Sequence, residues 1–575
     1  MAVISHLSQE LNSVGFPDNA PGRERLWSFD SRHTMDALLV ALVVIGTGLR
    51  LWQYIANRSL WLDEILLASN ILHRSMRDLL LTPLSYGQVA PQGFLFLEKL
   101  ASLSLGPSDY ALRLVPLLCS LAALVAYWRI VRRFLDGLAA PIALALFVTA
   151  GPLVIFGSEV KQYSVDVAVA VFLLWLSLNL AGRAVTLRQA LWAGMAGAAS
   201  VWFSQTAVIV VFALATSLAL IAFCAPRDLR TRRLLSLGPM LGMWSVSALA
   251  ATFAARASMT ASTREFMHQY WAAGLLPSSR WQALATRWPW DQLKALVGVG
   301  GQASLAYPHP EYYLLLAALG FWLLWRRLGA IVALLLAPMA VALAAAVARQ
   351  YPFSDRLILF LVPTLFIAIA ASIDWIYRKM ASWSTYAGWL AVTVLVGPAV
   401  YPMAAIPPPY QIEDIKPVMS YIQANRRPGD EVYLYYGARL AFSFYSRDYG
   451  FRDNDYQVGR CHRGDNRGYL KELDMFRGSH RVWVVLTHAP PYFKERDDIL
   501  HYLNTIGIGR DAFAVQSRVV SNWGLPAEVL LYDLSDSRRL GNATAASISL
   551  MGTLSPNPLQ GCGEGPQVMV PPRSS

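Results

Sequence analysis

This sequence carries little charge for its length. Only 15% of its 575 residues are Asp, Glu, Lys or Arg, whereas 55% are hydrophobic, and the mean hydropathy is +0.38. A water-soluble protein of this length carries more charge, so the composition excludes an ordinary soluble enzyme. The net charge of +12 does not indicate a nucleic-acid partner, because much of the Lys and Arg lies in short clusters between apolar runs.

Three other absences narrow the classes of protein to which this chain can belong. Residues 1–34 are polar and mixed, so we expect no cleavable signal peptide. No internal repeat is visible, and no cluster has the spacing of metal ligands. Of the four cysteines, Cys119 and Cys224 lie in apolar runs, whereas Cys461 and Cys562 lie in the region after the last apolar run, where an oxidising compartment would allow them to form a disulfide.

What the chain does have is long apolar runs, each long enough to cross about 30 Å of hydrocarbon. They predict about eleven transmembrane helices: 36–55, 110–128, 138–156, 162–181, 189–203, 206–224, 234–254, 311–325, 328–347, 357–376 and 385–403. The chain is therefore expected to be a polytopic α-helical membrane protein.

Basic clusters predict the orientation of these spans. Thirteen basic residues follow the even-numbered spans: Arg129, Arg132, Arg133, Arg183, Arg188, Arg227, Arg230, Arg232, Arg233, Arg326, Arg327, Arg378 and Lys379. The short connections on the opposite side contain only Lys161, Arg349 and Arg356. By the positive-inside rule, the N-terminal segment 1–35 is expected in the cytoplasm.

Eleven spans then place three stretches outside. Two are loops, at 56–109 and at 255–310, and the second is rich in Trp and Tyr, which suits a membrane–water interface. The third is 404–575, which opens with a proline-rich linker and alternates predicted helices (412–426, 493–506) with predicted strands (431–436, 480–488, 513–520, 527–533). This pattern predicts an extracytoplasmic α/β domain, followed from about residue 536 by a flexible polar tail.

The stretch "SLWLDEILLASN" at 59–70 places two acids side by side just after the first span. One acid in the first turn of a helix is explained by the helix dipole. A pair between Trp61 and Ile65 beside a membrane is less easily explained, because like charges repel. Asp63 and Glu64 are therefore candidate functional residues.

A second cluster, "FGSEVKQYSVD" at 156–166, stands at the external start of the fourth span. Helical spacing would put Glu159, Tyr163 and Asp166 on one face, with Lys161 at the same membrane border. Asp166 would lie a turn deeper and would need a partner or a wet cavity. The alternative is a local ion pair that stabilises a helix start.

Three further polar residues are expected at the same rim. Arg356, in "FSDRLILFLVP", is either a phosphate ligand or an interfacial arginine whose charged end reaches the headgroups. Gln88 lies in the turn "SYGQVAPQG". Gln205 either faces the same mouth or makes an ordinary interhelical hydrogen bond.

Acids and cations on one external rim suit glycosyl transfer. A carboxylate can take the proton of an acceptor hydroxyl, and cations can hold a phosphate and stabilise its charge as it leaves. A lipid-linked phosphosugar would keep its tail in the bilayer and its head at this rim.

The motifs "SLWLDEILLA", "QVAPQGFLFLEKL", "SEVKQYS" and "FSDRLILFLVP", in this order, resemble the GT-C glycosyltransferases. The nearest types are the protein O-mannosyltransferases, the lipid A aminoarabinose transferases and the rhizobial lipid A galacturonosyltransferases. The resemblance covers roughly residues 36–403. It implies a GT-C fold and an inverting enzyme that uses a polyprenyl-phosphate sugar.

The resemblance also implies roles for individual residues. Asp63 would be the catalytic base and Glu64 would orient the base or the acceptor. Lys161 and Arg356 would bind the donor phosphate, with Glu159 and Tyr163 beside them, and Gln88, Asp166 and Gln205 would shape the acceptor side. The family commonly has Arg where this chain has Lys161, and often His near the position of Gln205. No metal is expected from the spacing, although the resemblance leaves a divalent cation open.

The sequence therefore predicts a glycosyltransferase of a bacterial inner membrane, with its C-terminal domain in the periplasm. Its partners would be a polyprenyl-phosphate sugar, a lipid, glycan or protein acceptor, and membrane lipids. A transporter or flippase for a lipid-linked sugar is the alternative, but it would place its charges near the bilayer midplane on two similar halves. A non-catalytic scaffold is the third candidate, and such a protein would keep its function when Asp63 is replaced by Asn.

Overall fold

The structure, a computed structural model, describes residues 29–182, 185–277, 287–298, 302–463, 465–519 and 525–551. Helices dominate the first 405 residues: α1 Phe29–Ile55, α2 Leu62–His73, α3 Met76–Leu81, α4 Gln92–Leu105, α5 Asp109–Phe134, α6 Ala139–Thr149, α7 Gly151–Ile155, α8 Tyr163–Leu180, α9 Leu187–Ser200, α10 Ala207–Phe223, α11 Arg227–Ala257, α12 Ala261–Tyr270, α13 Trp288–Val297, α14 Pro310–Leu328, α15 Ala333–Val347, α16 Val362–Ala381 and α17 Thr385–Ala405.

A helix occupies each of the eleven segments predicted to span a membrane. Within the described ranges, seven helical stretches are long and apolar enough to cross, and an eighth qualifies if a bent pair is one span. Pro310–Val347 is one of the seven and contains two predicted spans, and Ala207–Phe223 is apolar but shorter. The chain thus has the helices of a polytopic membrane protein, and the count of eleven crossings stays a prediction.

The bent pair lies at the predicted span 138–156. Ala139–Thr149 and Gly151–Ser158 meet at an angle of 60°. Pro152 follows the break, and a proline lacks the N–H that a continuous helix would use there. This bend turns the chain toward the loop that carries Glu159 and Lys161.

The helices of the apolar core pack closely against one another. On α14, a Cβ added to Gly320 would lie 1.8 Å from the carbonyl oxygen of Ala368 on α16. Only glycine permits this approach, because any side chain would overlap the neighbouring backbone. The main core is one cluster of buried apolar residues that extends from Leu39 on α1 to Ala399 on α17.

The C-terminal residues build a mixed five-stranded sheet flanked by helices. In chain order these elements are α18 Lys416–Asn425, β1 Glu431–Leu434, α19 Arg439–Tyr445, β2 Gln457–Val458, α20 Arg467–Leu473, β3 Val482–Leu486, α21 Glu495–Ile506, β4 Ile508–Val515, β5 Ala527–Asp533 and α22 Ser537–Leu540. The strand order is β2-β1-β3-β5-β4. β1 is parallel to β2 and β3, whereas β5 is antiparallel to β3 and β4.

Two details of this region differ from the sequence predictions. The strand predicted at 513–520 begins earlier, at Ile508, because residues 508–515 pair along β5. The predicted flexible tail is packed at its start: Ala543, Ala545 and Ile548 are buried in the core of the sheet's outer face. Cys461 is disulfide-bonded, whereas its predicted partner Cys562 lies outside the described residues.

One core joins the sheet to the first predicted external loop. Val432 and Leu434 of β1 point to the same face of the sheet, since side chains alternate along a strand. They belong to one buried cluster with Leu60, Ile65 and Phe94 of the loop. The core under this face of the sheet is therefore continuous with the helix that carries Asp63 and Glu64, and α19 contacts that helix.

Candidate active site

The site forms where four connecting segments meet. Asp63 lies in the first turn of α2, Lys161 precedes α8, and Arg356 lies in the 3-10 helix Asp355–Leu361. The fourth segment, from α12 onward, brings Trp271 and Gln302. Because residues distant in sequence converge here, the site depends on the whole helical bundle.

Asp63 is held between two cations. Arg356 Nη2 donates to Asp63 Oδ2 at 2.8 Å, and Lys161 Nζ lies 3.7 Å from Asp63 Oδ1. The Asp63 side chain keeps 23% of its surface exposed, whereas Lys161 and Arg356 keep 6% and 7%. Burial raises the pKa of Asp63, but the charges of Lys161 and Arg356 outweigh it and hold that pKa below its usual value.

Gln88 completes the Lys161 side of the site. The Lys161 ammonium donates to Gln88 Oε1 at 2.6 Å. Burial lowers the pKa of Lys161, and the carboxylate of Asp63 opposes that effect. Lys161 is therefore a cation with one neutral and one charged partner, at the border of the exposed surface of Asp63.

Arg356 is surrounded by aromatic rings. Its guanidinium carbon lies 5.9 Å from the ring centroid of Trp61, 5.5 Å from that of Tyr163 and 5.4 Å from that of Trp271. Arg356 Nη1 also donates to Gln302. Within the described residues its Nε has no hydrogen-bond partner although it is buried. This arrangement fixes the guanidinium plane and leaves one donor for a further acceptor.

Glu64 has a different environment from its neighbour. It has no exposed surface and pairs with Arg58 at 2.6 Å and with Arg113 at 3.2 Å. Its oxygens also accept from the backbone N–H of Val160 at 2.9 Å and of Trp61 at 3.2 Å. Burial raises the pKa of Glu64, and the two guanidinium groups more than reverse that effect. Glu64 therefore connects the loop of Asp63 to the loop of Lys161 without facing the solvent.

Glu159 lies beside this pair but not on a helix. The prediction that Glu159, Tyr163 and Asp166 share a helix face is wrong for Glu159, because the helix begins at Tyr163 and Glu159 is extended. Its carboxylate accepts from the indole N–H of Trp61, and its second oxygen is buried without a partner among the described residues. Burial, with the charge of Glu64, raises the pKa of Glu159 to about 7.

Two predicted residues belong to a separate contact. Asp166 accepts from the hydroxyl of Ser204 at 2.6 Å, so it binds the segment before α10. Gln205 is half-buried on that same segment. The structure records no hydrogen bond from either side chain to Asp63, Lys161 or Arg356, and the two residues lie outside the cation-acid cluster of the described chain.

The sequence reasoning missed several residues of the site. Arg113 was the easiest to find, because it lies inside a predicted span, where a buried charge requires a partner. Trp61 stands in the quoted motif, yet its contacts with Glu159 and Arg356 depend on the tertiary fold. Trp271 belongs to a loop whose Trp and Tyr content indicated only a membrane interface, and Gln302 carries no local signal.

The comparisons with known proteins give distant structural likenesses. No family model and no curated protein matches the chain. The chain is similar to the archaeal oligosaccharyltransferase AglB from Archaeoglobus fulgidus in complex with an inhibitory peptide and a dolichol-phosphate. The identity is 13%, the coverage is 88% of this chain and 75% of that one, and the TM-score is 0.43.

Two other solved structures give similar values. ArnT from Cupriavidus metallidurans bound to undecaprenyl phosphate is 12% identical, with 86% and 98% of the two chains covered and a TM-score of 0.38. An Archaeoglobus fulgidus oligosaccharyltransferase in complex with Zn and sulfate is 12% identical, with 78% and 67% covered and a TM-score of 0.41. Because all these TM-scores are below 0.5, the likenesses add nothing to what the geometry supports.

The carboxylates of this cluster do not fit a metal site. No group of three or more His, Cys, Asp or Glu side chains in the described part of the chain could hold a metal ion. Both oxygens of Asp63 face cations, and those of Glu64 are saturated by arginines and backbone N–H groups. The positive charge at this site comes from Lys161 and Arg356.

Proposed function

We propose that this protein is an inverting glycosyltransferase of a bacterial inner membrane. It would move a sugar from a polyprenyl-phosphate donor to a lipid, glycan or protein acceptor at the external face. The observation that carries the proposal is the position of Asp63: a partly exposed carboxylate between two buried cations contributed by separate loops.

The donor phosphate binds Lys161 and Arg356. A phosphodiester can accept hydrogen bonds from both cations, and the free Nε of Arg356 offers another donor. Once the phosphate neutralises the two cations, they no longer hold the pKa of Asp63 down. Donor binding therefore makes Asp63 a stronger base at the moment when the reaction needs one.

Transfer is then a single displacement. The acceptor oxygen attacks the anomeric carbon from the face opposite the phosphate, while its proton passes to the carboxylate of Asp63. The bond from the anomeric carbon to the phosphate oxygen breaks, and its electron pair goes to the polyprenyl phosphate. Lys161 and Arg356 stabilise that developing charge, as a divalent cation would in other enzymes, and the sugar's configuration inverts.

A transporter for a lipid-linked sugar remains the second candidate, supported by one observation. The 60° break between α6 and α7 is the kind of discontinuous helix that transporters use for binding. Asp63, Lys161 and Glu159, however, all lie in connecting segments or helix ends rather than at mid-helix positions, which favours the transferase.

Mass spectrometry of envelope glycolipids and glycans, in cells with and without the protein, tests the proposal. A transferase predicts that one sugar is missing from one acceptor in the deleted cells and that its polyprenyl-phosphate donor accumulates. A transporter predicts accumulation of the donor on the cytoplasmic side of the membrane. Identical glycolipids, glycans and donor pools in both cells would contradict both readings.

A further inference from the structure

The segment just before Asp63 is held by the C-terminal region. The backbone N–H and the hydroxyl of Ser59 both donate to Asp414 Oδ1, at 2.9 and 2.5 Å. In return, the backbone N–H of Lys416 donates to the Ser59 hydroxyl oxygen at 2.9 Å. The Lys416 ammonium donates to the carbonyl oxygen of Asn57 at 2.9 Å. Two positions of this loop, Asn57 and Ser59, are thus held by residues more than 350 positions away.

A second contact joins the same regions one residue further on. The backbone N–H of Leu60 donates to the hydroxyl of Tyr445 at 2.8 Å. That hydroxyl donates in turn to Asp109 Oδ2 at 2.8 Å, and the Lys416 ammonium lies 2.6 Å from the same oxygen. Asp109 is 2% exposed. A buried carboxylate with two such partners orders all the groups around it.

Arg113 on α5 binds the same loop from its other side. Arg113 donates to the carbonyl oxygens of Arg58 and Ser59, at 2.6 and 3.0 Å, and also contacts Glu64. Asn57 itself has a left-handed backbone, with φ of 44°, a conformation that persists where its surroundings fix it. The chain from Asn57 to Leu60 is therefore bound on both sides, three residues before Asp63.

We propose that Asp414, Lys416 and Tyr445 are positioning residues for Asp63, so that the C-terminal region is a working part of the transfer site. The proposal rests on the proposed function, because it assigns these residues to a base whose role is itself proposed. They touch the backbone that leads into α2, and they set the place of the Asp63 carboxylate between Lys161 and Arg356.

This placement has a kinetic signature. If residues 57–60 loosen, Asp63 moves away from the two cations that hold its pKa down, and its pKa rises. The acidic limb of the kcat/KM profile, which reports the enzyme before the donor binds, then moves to higher pH, since the base is active when ionised. A variant that merely unfolds some of the protein lowers the rate at every pH and leaves the limb where it was.

Tyr445→Phe tests the proposal with the least disturbance, because it removes one hydroxyl and keeps the ring over Lys416. The full-length protein, purified in lipid nanodiscs, is supplied with total envelope extract of the deleted cells as donor and acceptor. We expect kcat to fall about tenfold and the apparent KM for the extract to stay within about twofold. The acidic limb of the kcat/KM profile should move to higher pH by about half a pH unit. Asp414→Asn is a second variant with the same expected signature.

Tyr433→Phe is the matched control. Tyr433 is a buried tyrosine of β1 whose hydroxyl donates to Glu472 at 2.8 Å, within the C-terminal region. Hydrogen exchange of peptides covering residues 58–66 should be faster in Tyr445→Phe, because Leu60 N–H loses its acceptor, and unchanged in Tyr433→Phe.

The outcomes separate the two proposals. If Tyr445→Phe and Asp414→Asn keep the pH limb and exchange rates of Tyr433→Phe, positioning by the C-terminal region is wrong while the transferase stands. If the wild-type protein transfers no sugar from the extract, the proposed function fails, whatever the exchange shows.

Discussion

Asp63 and Glu64 are neighbours in sequence with opposite environments. Asp63 retains 23% exposure between two cations, whereas Glu64 has none and binds two arginines. The acid pair could be recognised from the sequence because it interrupts an apolar run beside a span. The different environments of the two acids could not be predicted from the sequence. Successive helical residues point in directions about 100° apart, and only the fold decides which of the two meets the arginines.

Lys161→Ala is expected to weaken donor binding more than it slows transfer. The change removes a charge that the phosphate would contact, and charge-assisted hydrogen bonds contribute roughly 1.5–3 kcal/mol. The apparent KM for the donor should rise by about tenfold or more, with a smaller fall in kcat. Lys294→Ala is the control, since Lys294 pairs with Asp291 outside the cluster. Equal KM values for the two variants would argue against a phosphate contact at Lys161.

Glu159 should make donor binding depend on pH. Its pKa of about 7 means that it is neutral below pH 7 and carries a negative charge above it. That charge opposes the bound phosphate, so the donor KM should rise by roughly fivefold from pH 6 to 8. The donor is a phosphodiester and does not titrate there. Glu159→Gln should give a flat profile, and an unchanged rise in that variant would rule out Glu159 as its source.

At the scale of elements, the site is built by loops that helices bring together. The positions of the helices could be predicted, because apolar length is a strong signal. The bend between Thr149 and Gly151 could not, because a proline such as Pro152 can either lie inside a membrane helix or break it. The extended backbone of Glu159 could not either, because helical spacing from Tyr163 back to Glu159 looks regular in the sequence although the helix begins at Tyr163. Tertiary packing requires a glycine at position 157, because an added Cβ would lie 2.7 Å from the Ser120 hydroxyl oxygen.

The Glu64 network should matter for stability. Glu64→Ala leaves Arg58 and Arg113 buried without their acid, and breaking a buried ion pair in this way costs about 3–5 kcal/mol. The melting temperature in detergent should fall clearly. Glu265→Gln changes an exposed acid on α12 and should leave the melting temperature unchanged. A Glu64→Ala protein as stable as that control would mean that the network does not hold the loops together.

At the scale of the whole molecule, the basic clusters predict which ends of the membrane helices face the cytoplasm. A cysteine in place of Arg133 should react with a membrane-impermeant thiol reagent only after the membrane is opened, whereas one in place of the exposed His501 should react in intact cells. Both are made in a background where Cys119 and Cys224 are replaced by Ala. The reverse pattern would invert the topology and put the proposed site in the cytoplasm.

The packing of the sheet on the first loop is a whole-molecule property that the sequence did not disclose. The α/β pattern predicted strands and helices, but the core shared by Val432, Leu434, Leu60 and Ile65 joins regions more than 350 residues apart. No local pattern reports such a contact. It explains why α2, which carries Asp63, has one face buried against the C-terminal region.

The central claim is that Asp63 takes the acceptor's proton between two phosphate-binding cations. The most direct measurement compares Asp63→Asn with Asp78→Asn, a change at an exposed acid of the same loop, in the reconstituted full-length protein supplied with envelope extract. The account predicts that Asp63→Asn folds, reaches wild-type levels in the membrane and transfers no sugar, while Asp78→Asn transfers at the wild-type rate. Normal transfer by Asp63→Asn would contradict it.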